Sequence, residues 1–115
     1  MNRNAVRGWA DFMRACVGGL VLALASPAIG GDAVRGKEIS STCAACHGAD
    51  GNSATVEFPR LAGQHEDYLR QALSDYKAGK RRNPIMAAQV ENLSKRDIAD
   101  LAAWFASQQG LYLKR

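Results

Sequence analysis

The sequence has no long hydrophobic run, no strand-like alternation and no strong net charge. Its uncharged apolar run at residues 15–25 is far shorter than the roughly 20 residues of a membrane-spanning helix. No segment alternates between polar and apolar residues with period two, so the pattern does not predict a sheet. The net charge of +4 is small and scattered, which argues against nucleic acid as the main partner.

The chain is also too short to form a large hydrophobic core. Its 115 residues suffice for one small domain, and its apolar content of 47% is ordinary for a globular protein. Domains of this size often need a disulfide, a metal or another staple for stability. We therefore expect the fold to be built around a group that the polypeptide does not itself contain.

Residues 1–30 have the three parts of a secretory signal peptide. The start is basic, an uncharged apolar run follows, and the small residues of SPAIGG come last. We predict cleavage near Gly30, which leaves residues 31–115 as one mature domain, without Cys16 and without stable membrane insertion. An uncleaved anchor, the alternative, would need a longer apolar run.

The mature segment predicts three helices, and hence an all-α fold. The first helix begins at Asp32, a candidate N-cap, and runs toward the cysteines. The second lies within HEDYLRQALSDYKAGK, has one apolar face and stops at Gly79. The third begins at Ser94, where Asp97 completes a capping box, and its apolar residues follow helical spacing.

The segment STCAACHGADGNS carries the strongest chemical signal. Cys43 and Cys46 lie one helical turn apart, so both sulfur atoms point to the same side and can reach the two vinyl groups on one haem edge. The adjacent His47 can present its imidazole to the iron. Because Cys-x-x-Cys-His is the attachment signature of c-type haem, we expect one haem c held covalently through two thioethers.

Other uses of a cysteine pair fit the sequence less well. Zinc usually takes four protein ligands, and outside the motif only His65 and acidic residues remain as candidates. A thioredoxin-like dithiol belongs to a βαβ setting, which an all-α chain does not offer. Gly48 and Gly51 are explained by a tight turn after the motif, and no phosphate-loop lysine follows them.

With these motifs the chain resembles the small class I cytochromes c of bacteria, and especially one half of the tandem di-haem cytochromes c. The similar segments, which cover nearly all of the mature chain, are GDAVRGKE, CAACHGADGNS, FPRLAGQHEDYLRQALSDYKAG and LSKRDIADLAAWFASQ. The resemblance implies a helical fold around one haem, histidine–methionine ligation and electron transfer in the periplasm. It also implies that the Pro59 carbonyl accepts a hydrogen bond from the second ring nitrogen of His47.

The sixth iron ligand has two candidates. Met86 is the only methionine after the leader, and it lies where the resembling family has its ligand, in the predicted loop RRNPIMAAQ. A thioether favours ferrous iron and raises the reduction potential. In its ordinary role a methionine would fill a gap in the core instead. The rival ligand is His65, whose simpler role is that of a solvated residue opening a helix.

Two function classes remain open at this point. The first is a soluble single-electron carrier between redox proteins, which is not an enzyme. The second is a haem peroxidase or gas-ligand sensor with a displaceable sixth ligand. The presence of Met86, without an evident distal acid–base pair, favours the carrier.

Two further groups of residues bear on packing and partners. The run Lys80, Arg81 and Arg82 is either solvated surface or a basic rim that attracts acidic redox partners. The aromatic residues Trp104 and Phe105 are expected in the core, between the last helix and the first.

Overall fold

The computed structural model describes residues 30–110. These residues form five α-helices and no strand: α1 (Ala33–Ile39), α2 (Ser41–His47), α3 (Glu66–Lys77), α4 (Pro84–Val90) and α5 (Lys95–Ala106). The predicted all-α class is confirmed. The predicted leader and Cys16 lie outside the described residues. Between residues 30 and 110, no helix combines the length and the apolarity needed to cross a bilayer.

α1 and α5 pack against each other at very short range. The Asp32 side chain caps α1 as predicted, accepting hydrogen bonds from the amides of Val34 and Arg35 at 2.9 and 3.2 Å. Halfway along the helix, a Cβ on Gly36 would lie only 2.0 Å from the carbonyl oxygen of Asp100 on α5. Glycine therefore lets the two helix backbones touch.

A network of charges holds the same crossing. The guanidinium of Arg35 pairs with the carboxylates of Asp97 and Asp100 on α5. Asp100 is buried, and the amide of Asp32 donates to it at 2.7 Å. That amide lowers the pKa of Asp100, as Arg35 also does, against the opposing effect of burial. The predicted capping box is present, since Ser94 and Asp97 each accept from the other's backbone amide.

The hydrophobic core lies where α3 packs on α5. It is formed by buried residues of these two helices: Leu69, Leu101, Ala102 and Phe105. Phe105 is thus a core residue, as predicted. Trp104 is half-buried and packs against this core, and the ammonium group of Lys37 lies over its ring, 5.4 Å from the centroid. A Cβ on Gly36 would also lie 2.9 Å from the Trp104 Cβ.

The predicted first helix is in fact two helices. The chain breaks at Ser40, which is buried and whose hydroxyl donates to the carbonyl of Lys37 at 2.8 Å. This turn allows α2 to leave the direction of α1. The predicted stop after α3 is confirmed, because Gly79 follows the helix with a φ of 74° that favours glycine.

The prediction that Met86 lies in a loop is wrong, because it belongs to α4. Asn83 caps this helix, and its side-chain oxygen accepts from the amides of Ile85 and Met86 at 3.0 and 3.1 Å. Pro84 occupies the first helical position. A capping asparagine followed by proline is a recognised signal for a helix start, so the sequence did contain this information.

Candidate cofactor site

A cavity of about 490 Å³ opens between α2, α3, α4 and the segment 57–61. Its volume lies within the range of small-molecule and cofactor sites. Core residues of α3 and α5 form part of its wall, so the cavity continues directly into the hydrophobic core: Leu69, Leu101, Ala102 and Phe105. Part of the core surface therefore faces this opening rather than a closed interior.

All the site residues predicted from the sequence line this one cavity: Cys43, Cys46, His47, Pro59 and Met86. They come from α2, from the segment after it and from α4. His65, the rival candidate, is not among the lining residues. It is exposed at the N-cap of α3, as a solvated, helix-opening histidine would be.

The two cysteines lie on α2 as half-buried free thiols. Their positions at i and i+3 of one short helix place both on the side that lines the cavity. Burial raises the pKa of the Cys43 thiol, which therefore stays protonated at neutral pH. Because neither cysteine is in a disulfide, both thiols are available for covalent attachment.

His47 ends α2 and is only 7% exposed. Its Nδ1 lies 2.8 Å from the carbonyl oxygen of Pro59, so the hydrogen bond that the resemblance implied is present. Because a carbonyl only accepts, Nδ1 carries the hydrogen and Nε2 keeps its lone pair. Phe58 sets its ring at 68° to the imidazole, with centroids 6.3 Å apart. The ring is therefore held from two sides with one nitrogen available to a ligand.

Two glycines bring Pro59 back to His47. Gly48 ends α2 with a φ of 85°, and Gly51 follows with a φ of 80°. The carbonyl of Gly51 accepts from the amide of Leu61 at 2.8 Å. A Cβ on Gly51 would lie 2.8 Å from the amide nitrogen of Ala62. Glycine is required here both for the backbone conformation and for the space.

A cluster of two tyrosines and an arginine at the cavity was missed from the sequence. The guanidinium of Arg81 lies 4.9 Å from the ring centroid of Tyr76, and its Nη1 donates to the Tyr68 hydroxyl at 3.3 Å. All three residues line the cavity. The sequence signal was faint: Tyr68 and Tyr76 share the predicted face of α3, but nothing local pairs them with Arg81.

The lining residues fit a c-type haem. Two thiols on one helical turn, an imidazole with a free nitrogen and a thioether are the groups by which proteins attach and ligate haem. The apolar wall suits a flat hydrophobic ring, and Arg81 suits its carboxylates. For zinc the fit is poor, since residues 30–110 contain no group of three or more His, Cys, Asp or Glu side chains placed to hold a metal ion.

With its helices packed around such a cavity, this chain has the features of a small all-α haem-binding domain. The family model of cytochrome c matches residues 33–109, which is most of the chain. This protein therefore belongs to the cytochrome c family, and the class I resemblance is confirmed.

The relatives show which part of a larger protein the chain matches. It is 52% identical to cytochrome c4 of Pseudomonas aeruginosa over 79 residues, covering 69% of this chain but only 39% of the relative. The structure of reduced recombinant cytochrome c4 from Pseudomonas stutzeri superposes with a TM-score of 0.67 at 43% identity, over 70% of this chain and 47% of that one. The likeness to one half of a di-haem cytochrome c is thus confirmed.

One relative is matched over almost its entire length. Cytochrome c-554(548) of Halomonas halodenitrificans is 39% identical over 82 residues, which are 69% of this chain and 99% of that protein. The matched segment therefore corresponds to a unit that occurs both alone and as part of a longer chain.

Proposed function

We propose that this chain is a single-electron carrier that works in the periplasm with one covalently bound haem c. The observation that supports this most directly is a single cavity lined by two thiols, an imidazole and a thioether. Membership of the cytochrome c family supports it independently. We further propose that residues 1–30 are a cleaved signal peptide and that residues 31–115 form one haem domain.

Four residues would hold the cofactor. Cys43 and Cys46 would form the two thioethers, and His47 and Met86 would be the axial ligands. When bound, the haem would supply an iron that carries one electron between its ferric and ferrous states. The preference for Met86 over His65 is supported by the lining of the cavity, which includes the methionine and not the histidine.

The surrounding residues would tune that site. The Pro59 carbonyl fixes the orientation of the His47 ring and raises the basicity of the free ring nitrogen. The thioether of Met86, a soft neutral group, would favour the ferrous state and raise the reduction potential. Phe105 and Leu101 exclude water from the inner wall. The guanidinium of Arg81 would pair with the haem carboxylates, because Tyr68 and Tyr76 hold it at the cavity.

The partner would be another redox protein that docks near the cavity. Phe58 and Ile85 line the cavity and are 36% and 62% exposed, so they offer apolar contact at its edge. Lys80 and Arg82 are exposed nearby in sequence and carry the charge that would attract an acidic partner face. Arg81, engaged with the tyrosines, would contribute less to steering.

The names of two relatives agree with a redox partner. One is the cytochrome subunit of sulfide dehydrogenase from Chlorobaculum tepidum, 36% identical over 73 residues. Another is the thiosulfate dehydrogenase electron acceptor of Stutzerimonas stutzeri, 45% identical over 62 residues. We propose the same general role for this chain, namely to take electrons from one protein and deliver them to another.

Replacement of Met86 tests the proposal. In wild-type holoprotein, the colour should stay with the polypeptide on acid–acetone extraction, and the ferric spectrum should show the near-infrared thioether–iron band. Met86→Ala should lose that band and bind carbon monoxide readily in the ferrous state, because the sixth position is open. His65→Ala is the matched control and should keep the band.

Two outcomes would contradict this proposal. Haem that extracts freely would exclude covalent attachment. If wild-type protein binds carbon monoxide as fast as Met86→Ala, the sixth position is already open, and the peroxidase or gas-sensor function replaces the carrier.

A further inference from the structure

The helix that carries Met86 is too short to be stable alone. α4 has 7 residues, and isolated helices below about 12 residues are marginal in water. The terminal backbone groups of such a helix are satisfied by side chains, by water or by tighter turns. At its start, Asn83 does so by accepting from the amides of Ile85 and Met86.

At the other end, the stabilising group comes from a different helix. Lys77 is the last residue of α3, and its ammonium group donates to the carbonyl of Glu91 at 2.9 Å and to that of Leu93. Glu91 is the C-cap of α4, and Leu93 closes the turn by donating its amide to the carbonyl of Val90 at 3.1 Å. The ammonium group thus satisfies the carbonyl of the C-cap and one carbonyl of the turn beyond the helix, and it complements the negative end of the helix dipole.

A groove of about 450 Å³ lies between α3 and α4 and is lined by small and polar residues: Tyr76, Lys77, Gly79, Ala87, Ala88 and Glu91. Val90 anchors the helix on the core side, where it is 1% exposed. On the groove side, Lys77 provides a polar link between α3 and the residues at the end of α4.

We propose that Lys77 is a positioning residue for the sixth ligand: by capping α4 from α3, it holds the thioether of Met86 at the cavity. This inference rests on the proposed ligation by Met86. Without Lys77, the Asn83 cap would remain, but Val90 would leave its buried position more often. Because α4 has only about two turns, its displacement would carry Met86 away from the cavity. Such local opening needs no unfolding of the α1/α5 crossing, which lies elsewhere in the fold.

Carbon monoxide binding measures this opening directly, because the gas reaches ferrous iron only when Met86 has left. We expect Lys77→Met holoprotein to bind carbon monoxide about tenfold faster than wild type, as removal of charge-assisted hydrogen bonds predicts. Lys95→Met is the matched control. It removes the same charge from an exposed lysine whose ammonium group bonds to none of residues 30–110, and it should bind at the wild-type rate.

Lys77→Arg supplies the rescue, because a guanidinium can also donate to two carbonyls. It should restore most of the wild-type rate and the full thioether–iron band. Urea below the unfolding transition should leave the rates nearly unchanged, since local opening exposes little surface.

Three results would overturn the proposal. The first is equal carbon monoxide rates in Lys77→Met and Lys95→Met. The second is a rate that rises with urea as steeply as global unfolding. The third is loss of the helical circular dichroism in Lys77→Met, which would mean that Lys77 supports the whole fold. If wild type itself binds carbon monoxide as fast as Met86→Ala, it is the ligation by Met86 that fails instead.

Discussion

α1 and α5 meet backbone against backbone, whereas α3 and α4 meet across a groove. At the first contact, a Cβ on Gly36 would lie 2.0 Å from a carbonyl oxygen of α5. At the second, about 450 Å³ of open space separates the helices, and Lys77 bridges it. The α1/α5 side is complete within the polypeptide, while the α3/α4 side borders the cofactor cavity.

The two helix contacts contribute to the stability of this small chain in different ways. The α1/α5 crossing derives its stability from close packing, a capping box and the pairs that Arg35 makes with Asp97 and Asp100. The core between α3 and α5 faces the cavity, so part of its apolar surface is buried only when a haem fills the space. At about 25 cal/mol per Å² of apolar surface, such burial is a large term for a small domain.

Loss of both haem attachments should have the largest effect. Cys43→Ser/Cys46→Ser protein should lose most of its helical circular dichroism, because the core then opens to water on the α3/α4 side. The single variant Cys43→Ser keeps one thioether and should stay folded. A cooperative, native-like melt of the haem-free double variant would show that both sides are complete without the cofactor.

A methyl group at the α1/α5 crossing should have the next largest effect. Gly36→Ala should lower the free energy of unfolding of the holoprotein by about 3 kcal/mol or more, because the added carbon meets the backbone of Asp100. Gly79→Ala is the control. It has a φ of 74° but no atom within 4 Å of the new Cβ, so it should cost only about 1 kcal/mol of backbone strain. Urea titration measures both values, and equal costs would refute the close-packing argument.

Acid should weaken the α1/α5 side in a defined pH window. Hydrogen bonds from Ser94, and then from Arg35, lower the pKa of Asp97 from 3.8 to about 2. A carboxyl with a lowered folded pKa stabilises fully above its unfolded value and loses this contribution as the pH falls toward the folded value. Wild type should therefore exceed Asp97→Asn in stability above about pH 4, and the difference should shrink between about pH 4 and 2. A difference that stays constant down to pH 2 would contradict the assignment.

Charge reversal near the cavity should have the smallest effect. It should change only the rate of electron transfer with a partner. Lys80→Glu/Arg82→Glu should slow reduction by an acidic redox protein several-fold at low salt, with an unchanged spectrum. Since charges are screened over about 10 Å at 0.1 M salt, the difference should disappear as salt is added. The control, Lys37→Glu/Lys95→Glu, makes the same charge change on the α1/α5 side and should have less effect. Equal slowing by both variants would place docking elsewhere.

Much of the fold was predictable because its signals are local. The caps at Asp32 and Ser94 involve residues within three positions, so the composition at each helix start was enough to find them. The start of α4 was equally local, with Asn83 and Pro84 in adjacent positions, and the loop prediction simply overlooked it. The break at Ser40 had only a weak local signal: its hydroxyl donates to the carbonyl of Lys37 three positions earlier, and a serine can compete with helical hydrogen bonds in this way.

The sequence alone decided which chemical groups are available, because the spacing of Cys43, Cys46 and His47 is covalent and survives any packing. Tertiary structure decided which groups meet. The choice of Met86 rather than His65 as cavity residue, the pairing of Arg81 with Tyr68 and the reach of Lys77 to Glu91 all join separate segments. Sequence patterns report neighbours within one or two helical turns, whereas these contacts depend on how whole helices pack.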